Sequence, residues 1–128
     1  MSSRNKLKHL YVKIGGNTPL REILRDFYRR MSLDLMIGFF FQDKNIEAIA
    51  DKQTEFLLVA MGISPKFTGR SPSQAHLSLP PILPGHFDRR LVILKETLND
   101  HGLSAEDIEV WLNFEEAFRD VVVSKLVK

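Results

Sequence analysis

Apolar residues recur along the chain at helical intervals, and long stretches of it predict helices. Leu20, Ile23, Leu24, Phe27 and Met31 keep to one face over about 19–33, the spacing that lines side chains up in a single stripe. Thr18 reads as the N-cap of that helix and Pro19 as its first residue, where a proline loses only an N–H that has no partner anyway. The run "LMIGFFFQD" then sets aromatics between polar residues and predicts a tight, apolar corner. Asn45 is placed to cap the next helix, whose stripe is Ile46, Ile49, Gln53, Phe56, Leu57 and Ala60. Gly62 and Pro65 close it.

The stretch "SPKFTGRSP" is dense in Ser, Pro and Gly and predicts a loop. A short helical segment carrying His76 follows, and Pro80, Pro81 and Pro84 end it. A further helix over about 85–100 shows Phe87, Leu91, Leu94 and Leu98 on one face, with Gly102 just past its end. Ser104 caps the last helix, with Asp107 three residues on, and Ile108, Trp111, Phe118 and Val122 keep the helical period. No alternating pattern of strand type occurs, so the fold class is all-α. Without a repeat, low-complexity tract or linker, residues 1–128 read as one domain, with 1–8 as an N-terminal extension.

Composition narrows the function classes. At 128 residues, 44% hydrophobic and 27% charged, the chain is an ordinary globular sequence able to bury a core. The net charge is +2 and no basic run exceeds two residues, which argues against nucleic acid as a partner. The absence of cysteine excludes a disulfide, a thiolate nucleophile and a Cys-ligated metal. Any metal must be held by His, Asp or Glu, or arrive inside a cofactor. The first residues are too polar for a signal peptide and no apolar stretch reaches membrane-spanning length. The cytoplasm is the default location, with no membrane partner.

Three helices carry one polar residue each where the stripe calls for an apolar one: Tyr28, Gln53 and Arg90. Burying such groups without partners costs a few kcal/mol apiece. Each alone has an ordinary reading. The tyrosine packs with a wet hydroxyl, the glutamine bonds to backbone, the arginine snorkels to solvent, and His76 is a structural or exposed histidine. Their combination with three successive phenylalanines and a Gly/Pro loop before His76 reads differently. An apolar slot with an imidazole on one side and a Tyr/Gln pair on the other suits a haem.

On these residues the chain resembles the truncated haemoglobins, short globins with a two-over-two helical sandwich around haem b. The resemblance runs through "LYVKIGG", "LRDFYRRM", "FFF", "DKQTEFLLVAMG", "FTGR", "AHLSL", "HFDRRL" and "AFRDVVVS". It includes the paired Gly15–Gly16 and Gly69 as hallmark glycines. It implies His76 as the proximal iron ligand, Phe41 as the corner phenylalanine against the porphyrin, and Tyr28 and Gln53 as a distal pair that stabilises bound O2. Ile49 occupies the usual distal-histidine position. Ile46, Leu57, Phe67, Leu79, Ile82 and Phe87 are implied as pocket walls. The implied function is reversible binding of O2, NO and CO, with NO dioxygenation supported by an external reductase, in a monomer or weak dimer. The alternatives are a non-catalytic oxygen carrier, a haem-based sensor, or a redox globin in which Lys52 takes the sixth iron position.

The chain departs from the family pattern in places. From the first helices through "DKQTEFLLVAMG" it is closest to the first group, whereas "AHLSLPP…HFDRRL" resembles a third group that has Trp in place of Arg90. Arg90 therefore reads two ways, as a partner of a haem propionate or as a residue beside the pocket. Phe67 replaces a common tyrosine and Ser73 a common basic residue. Propionate pairing would then fall to Arg70, Lys44, Arg89 or Arg90.

Overall fold

A computed structural model describes residues 2–65 and 80–123 of the chain. Within them run α1 (Ser3–Ile14), α2 (Asn17–Leu33), a 3-10 turn (Gly38–Phe41), α3 (Ile46–Ala60), α4 (Pro84–Asp100), α5 (Ala105–Glu116) and one last turn of helix, α6 (Arg119–Val122). No strand occurs among the described residues. Helix α2 packs most extensively on α3, α4 lies against α2 and α5, and α1 rests on α5 and α2.

Helix α1 stands where an extension over 1–8 was expected. Ser2 caps it by accepting from the Asn5 N–H, and Leu7 and Leu10 are fully buried. Its apolar residues are few and set among polar ones, so the stripe gains meaning only once α2 and α5 cover it. Gly15 and Gly16 then turn the chain at φ +108° and +95°, in the left-handed region that side chains disfavour. Their N–H groups return to the carbonyls of Val12 and Tyr11. The turn is so short that α2 begins at Asn17, with Gly16 in the cap position. Thr18 and Pro19 are therefore the second and third helical residues, not cap and first. Proline is harmless there because the first four N–H groups of a helix lack helical acceptors.

Beyond α2, Asp34 organises the corner. Its carboxylate accepts from the N–H groups of Met36 and Ile37 at 3.0 and 3.1 Å. Arg89 of α4 donates to the same carboxylate at 3.0 and 2.7 Å. Those Arg89 bonds, more than offsetting burial, hold the Asp34 carboxyl below the usual carboxylate range. A Cβ on Gly38 would lie 2.7 Å from the Ser32 carbonyl oxygen, so the following 3-10 turn closes on a residue without one. That turn buries Phe40, leaves Phe39 about half exposed and seats Phe41 against the core.

Asn45 caps α3 as its sequence implies, accepting from the Ala48 N–H at 3.1 Å. The buried stripe of α3, however, is Ala50, Thr54 and Leu57, followed by Met61. At 100° per residue this face lies about 90° round from Ile46, Ile49, Gln53 and Phe56. The small Ala50 and a Thr54 whose hydroxyl bonds its own helix suit the contact with α2. Arg25 of α2 clasps Asp51 at the edge of that contact. The larger apolar side chains of α3 are left half-buried on the neighbouring face. Near the other end, Ser104 caps α5 through the Asp107 N–H. The last helix does not run on to Val122 unbroken. It turns at Ala117–Phe118, where the Phe118 ring meets Phe114 and Phe56 edge-on at 5.3 and 5.5 Å.

Candidate functional site

Tyr28 sits in the middle of α2 and is 6% exposed. Its ring lies 5.3 Å from that of Phe27 and meets Phe41 edge-on at 5.9 Å. The helix and the aromatic corner thus bring together two residues that stand thirteen positions apart. On α3, Ile46, Ile49, Gln53 and Phe56 share the half-buried face, with Ile46, Ile49 and Phe41 packed against the core. Lys52 flanks this face in an exposed ion pair with Glu55 at 3.6 Å. Lys44 is exposed.

Three of the expected wall residues lie deep inside the protein. Leu57 is fully buried on the packed face of α3, and Ile82 is 8% exposed. Phe87 is 2% exposed beneath the guanidinium of Arg119, whose central carbon lies 4.7 Å from its ring. His76, Phe67 and Leu79, with Gly69, Arg70 and Ser73, lie outside the described residues.

Arg90 is resolved by a partner the sequence reading missed. Its Nη2 donates to Glu115 Oε2 of α5 at 3.0 Å, in a pair whose side chains are 19% and 5% exposed. The guanidinium also lies 4.9 Å from the Phe27 ring centroid and 5.6 Å from that of Tyr28. Its Nη1 is 3.7 Å from the Met31 sulfur. Burial works against the charge, but the Tyr28 phenol and the Glu115 carboxylate outweigh it and raise the Arg90 pKa. Arg90 therefore does not snorkel to solvent, and its guanidinium is engaged by Glu115. Arg89 is likewise engaged, by Asp34. Glu115 had a signal: it falls on the Ile108–Trp111–Phe118 stripe, one more polar residue at an apolar position. Among the described residues, its Oε1 and the Trp111 Nε1, one turn apart, are the buried side-chain polar atoms without a hydrogen-bond partner.

The half-buried face of α3 carries the Gln53 amide among apolar side chains, one of which, Phe56, meets Phe118, while the Tyr28 phenol is set on a ring packed against Phe41. Such surroundings fit a flat apolar prosthetic group that presents one polar ligand. Residues 9–124 match the bacterial-like globin family.

The chain belongs to that family.

A group 1 truncated hemoglobin of Tetrahymena pyriformis is 26% identical over 100 residues, covering 78% of this chain and 82% of its own. The crystal structure of the truncated hemoglobin from Tetrahymena pyriformis in its Fe(III) form superposes with a TM-score of 0.81 at 24% identity, covering 91% of this chain and 98% of that one. The 2/2 hemoglobin from Synechococcus, with covalently attached heme, gives 0.75 at 25% identity, covering 88% and 97%. This globin therefore has the two-over-two helical sandwich expected of a truncated haemoglobin. Haem b is the standard cofactor of the family, and the family supports binding of diatomic ligands. No helix among the described residues is long and apolar enough to cross a membrane.

Proposed function

We propose that this globin is a cytoplasmic haem b protein that binds O2 and oxidises nitric oxide, with His76 as the iron ligand and Tyr28 and Gln53 as the hydrogen-bond donors to the bound gas. The observation that carries this reading is the Tyr28–Phe41 contact, on the helix that packs against α3 and its half-buried, Gln53-bearing face. Haem, when bound, supplies the iron at which a diatomic ligand is held. The chain supplies the rest. Ile46, Ile49 and Phe41, half-buried and packed against the core, would shield the bound ligand from water. In that low-dielectric setting a phenol O–H and an amide N–H favour a ligand with partial negative charge over a neutral one such as CO.

The donors also require no reorganisation at the moment charge develops, which is the usual source of electrostatic catalysis. The net reaction is NO + O2 + e⁻ → NO3⁻, with the electron delivered by an external reductase. Rapid mixing of the O2-loaded ferrous protein with NO tests it. Conversion to the ferric form at a rate proportional to NO concentration, with nitrate formed in equal amount, is expected. A rate that stays fixed at the O2 dissociation rate as NO is raised identifies a ligand carrier instead.

A further inference from the structure

Arg90 and Glu115 make up a buried ion pair, and such pairs seldom stabilise a fold relative to apolar residues of the same volume. The place of this one is informative. The guanidinium is fixed on one side by Glu115 at 3.0 Å and turned toward the rings of Phe27 and Tyr28 on α2. A planar guanidinium tied by a carboxylate has few orientations left, unlike the point charge of a lysine on its flexible stem. Cations are drawn to aromatic faces within about 6 Å of the ring centroid, and both rings lie inside that range. Tyr28 is thereby flanked by Phe27, Phe41 and a charge that is itself anchored on α5. Two of these neighbours, Phe41 and Arg90, come from outside α2, so the ring has little freedom to rotate or tilt.

We infer that Arg90, anchored by Glu115, is a positioning residue for Tyr28, fixing the ring and hence the direction in which its O–H is presented to the ligand. The inference rests on Tyr28 facing the ligand, as proposed above. It gives a role to a residue that on sequence grounds interrupts an apolar face. It also separates two jobs that one side chain could do, holding α4 to α5 and aiming a group on α2.

The test uses haem-loaded protein with Tyr28→Phe, Arg90→Lys, Arg90→Met and the pair Arg90→Met/Glu115→Leu, each also carried through thermal unfolding. The readouts are the C–O stretching frequency of the ferrous CO complex and the O2 dissociation rate. Arg90→Met should lower the unfolding midpoint, and the paired variant should recover most of it because no charge is left buried alone. Both should still move the C–O band toward that of Tyr28→Phe and release O2 roughly 5-fold faster, the factor of about one net hydrogen bond. Adding Tyr28→Phe to the paired variant should bring both readouts to those of Tyr28→Phe alone, because Arg90 acts only through that hydroxyl.

A paired variant that keeps the wild-type band and rate overturns the inference, leaving Arg90 a core ion pair. Should that variant fail to fold, Arg90→Lys decides: a shifted band supports the positioning role and an unshifted one overturns it. If Tyr28→Phe itself leaves band and rate unchanged, the reading of Tyr28 fails first and the inference falls with it.

Discussion

Tyr28→Phe should release bound O2 roughly 10- to 100-fold faster, the loss of a hydrogen bond to a partly charged acceptor worth about 1.5–3 kcal/mol. The substitution removes one oxygen and leaves the ring. The contacts with Phe27 at 5.3 Å and Phe41 at 5.9 Å are apolar and remain, so the unfolding midpoint should fall only by what the hydroxyl contributes beside the buried Arg90 guanidinium, about 1 kcal/mol. CO carries less negative charge than O2 when bound, and its dissociation should change far less. Gln53→Leu should act in the same direction, since the amide shares the donor role from α3. Flash photolysis and ligand replacement measure all four rates. Equal acceleration of O2 and CO release would mean that Tyr28 acts by bulk, and the hydrogen-bond account of the pocket would be wrong.

Glu115→Leu should be the most damaging single change to stability. It leaves the Arg90 guanidinium, 19% exposed between α2 and α5, without its carboxylate. Removing one member of a buried pair costs about 3–5 kcal/mol, because the remaining charge must stay desolvated. For a domain of this size the melting temperature should fall by roughly 10–20 °C. An isosteric Glu115→Gln should cost less, since the amide oxygen still accepts from Nη2. Denaturant titration separates a true loss of stability, a shift in midpoint at constant slope, from a change in compactness. Equal stability of Glu115→Leu and the wild type would show that Arg90 finds solvent, and the packing of α4 on α5 would need another explanation.

Much of the fold was legible in the sequence because capping and helical period are local. Asn45 and Ser104 sit at caps where their side chains accept the expected N–H groups, and no other residue has to be known for that. The failures have a common cause in tertiary contact. Helix α1 is too polar to announce itself without α5. Pro19 looked like a first residue because the tightness of the Gly15–Gly16 turn depends on how α1 and α2 pack. The stripe of α3 divided into two faces, since Ala50 and Thr54, weak signals in a hydrophobic pattern, are what α2 covers.

The candidate site shows the same division. Tyr28, Gln53 and Arg90 stood out as polar interruptions of apolar stripes, a property of each helix alone. What Arg90 meets could not be read that way, because Glu115 is 25 residues distant and on another helix. Its own place on the Trp111–Phe118 stripe was the one clue. Two polar interruptions on separate stripes of opposite charge are a pair in waiting, and the contact of α4 with α5 joins them.

The absorption spectrum of the protein loaded with haem, taken beside that of His76→Gly, bears most directly on the central claim. Wild type should bind haem in equal amount and show an intense Soret band, with a ferrous CO complex of histidine-ligated type. His76→Gly should lose or shift that band and regain it on addition of free imidazole, which replaces the missing ring. A wild type without a Soret band, or a His76→Gly spectrum identical to it, would contradict the account.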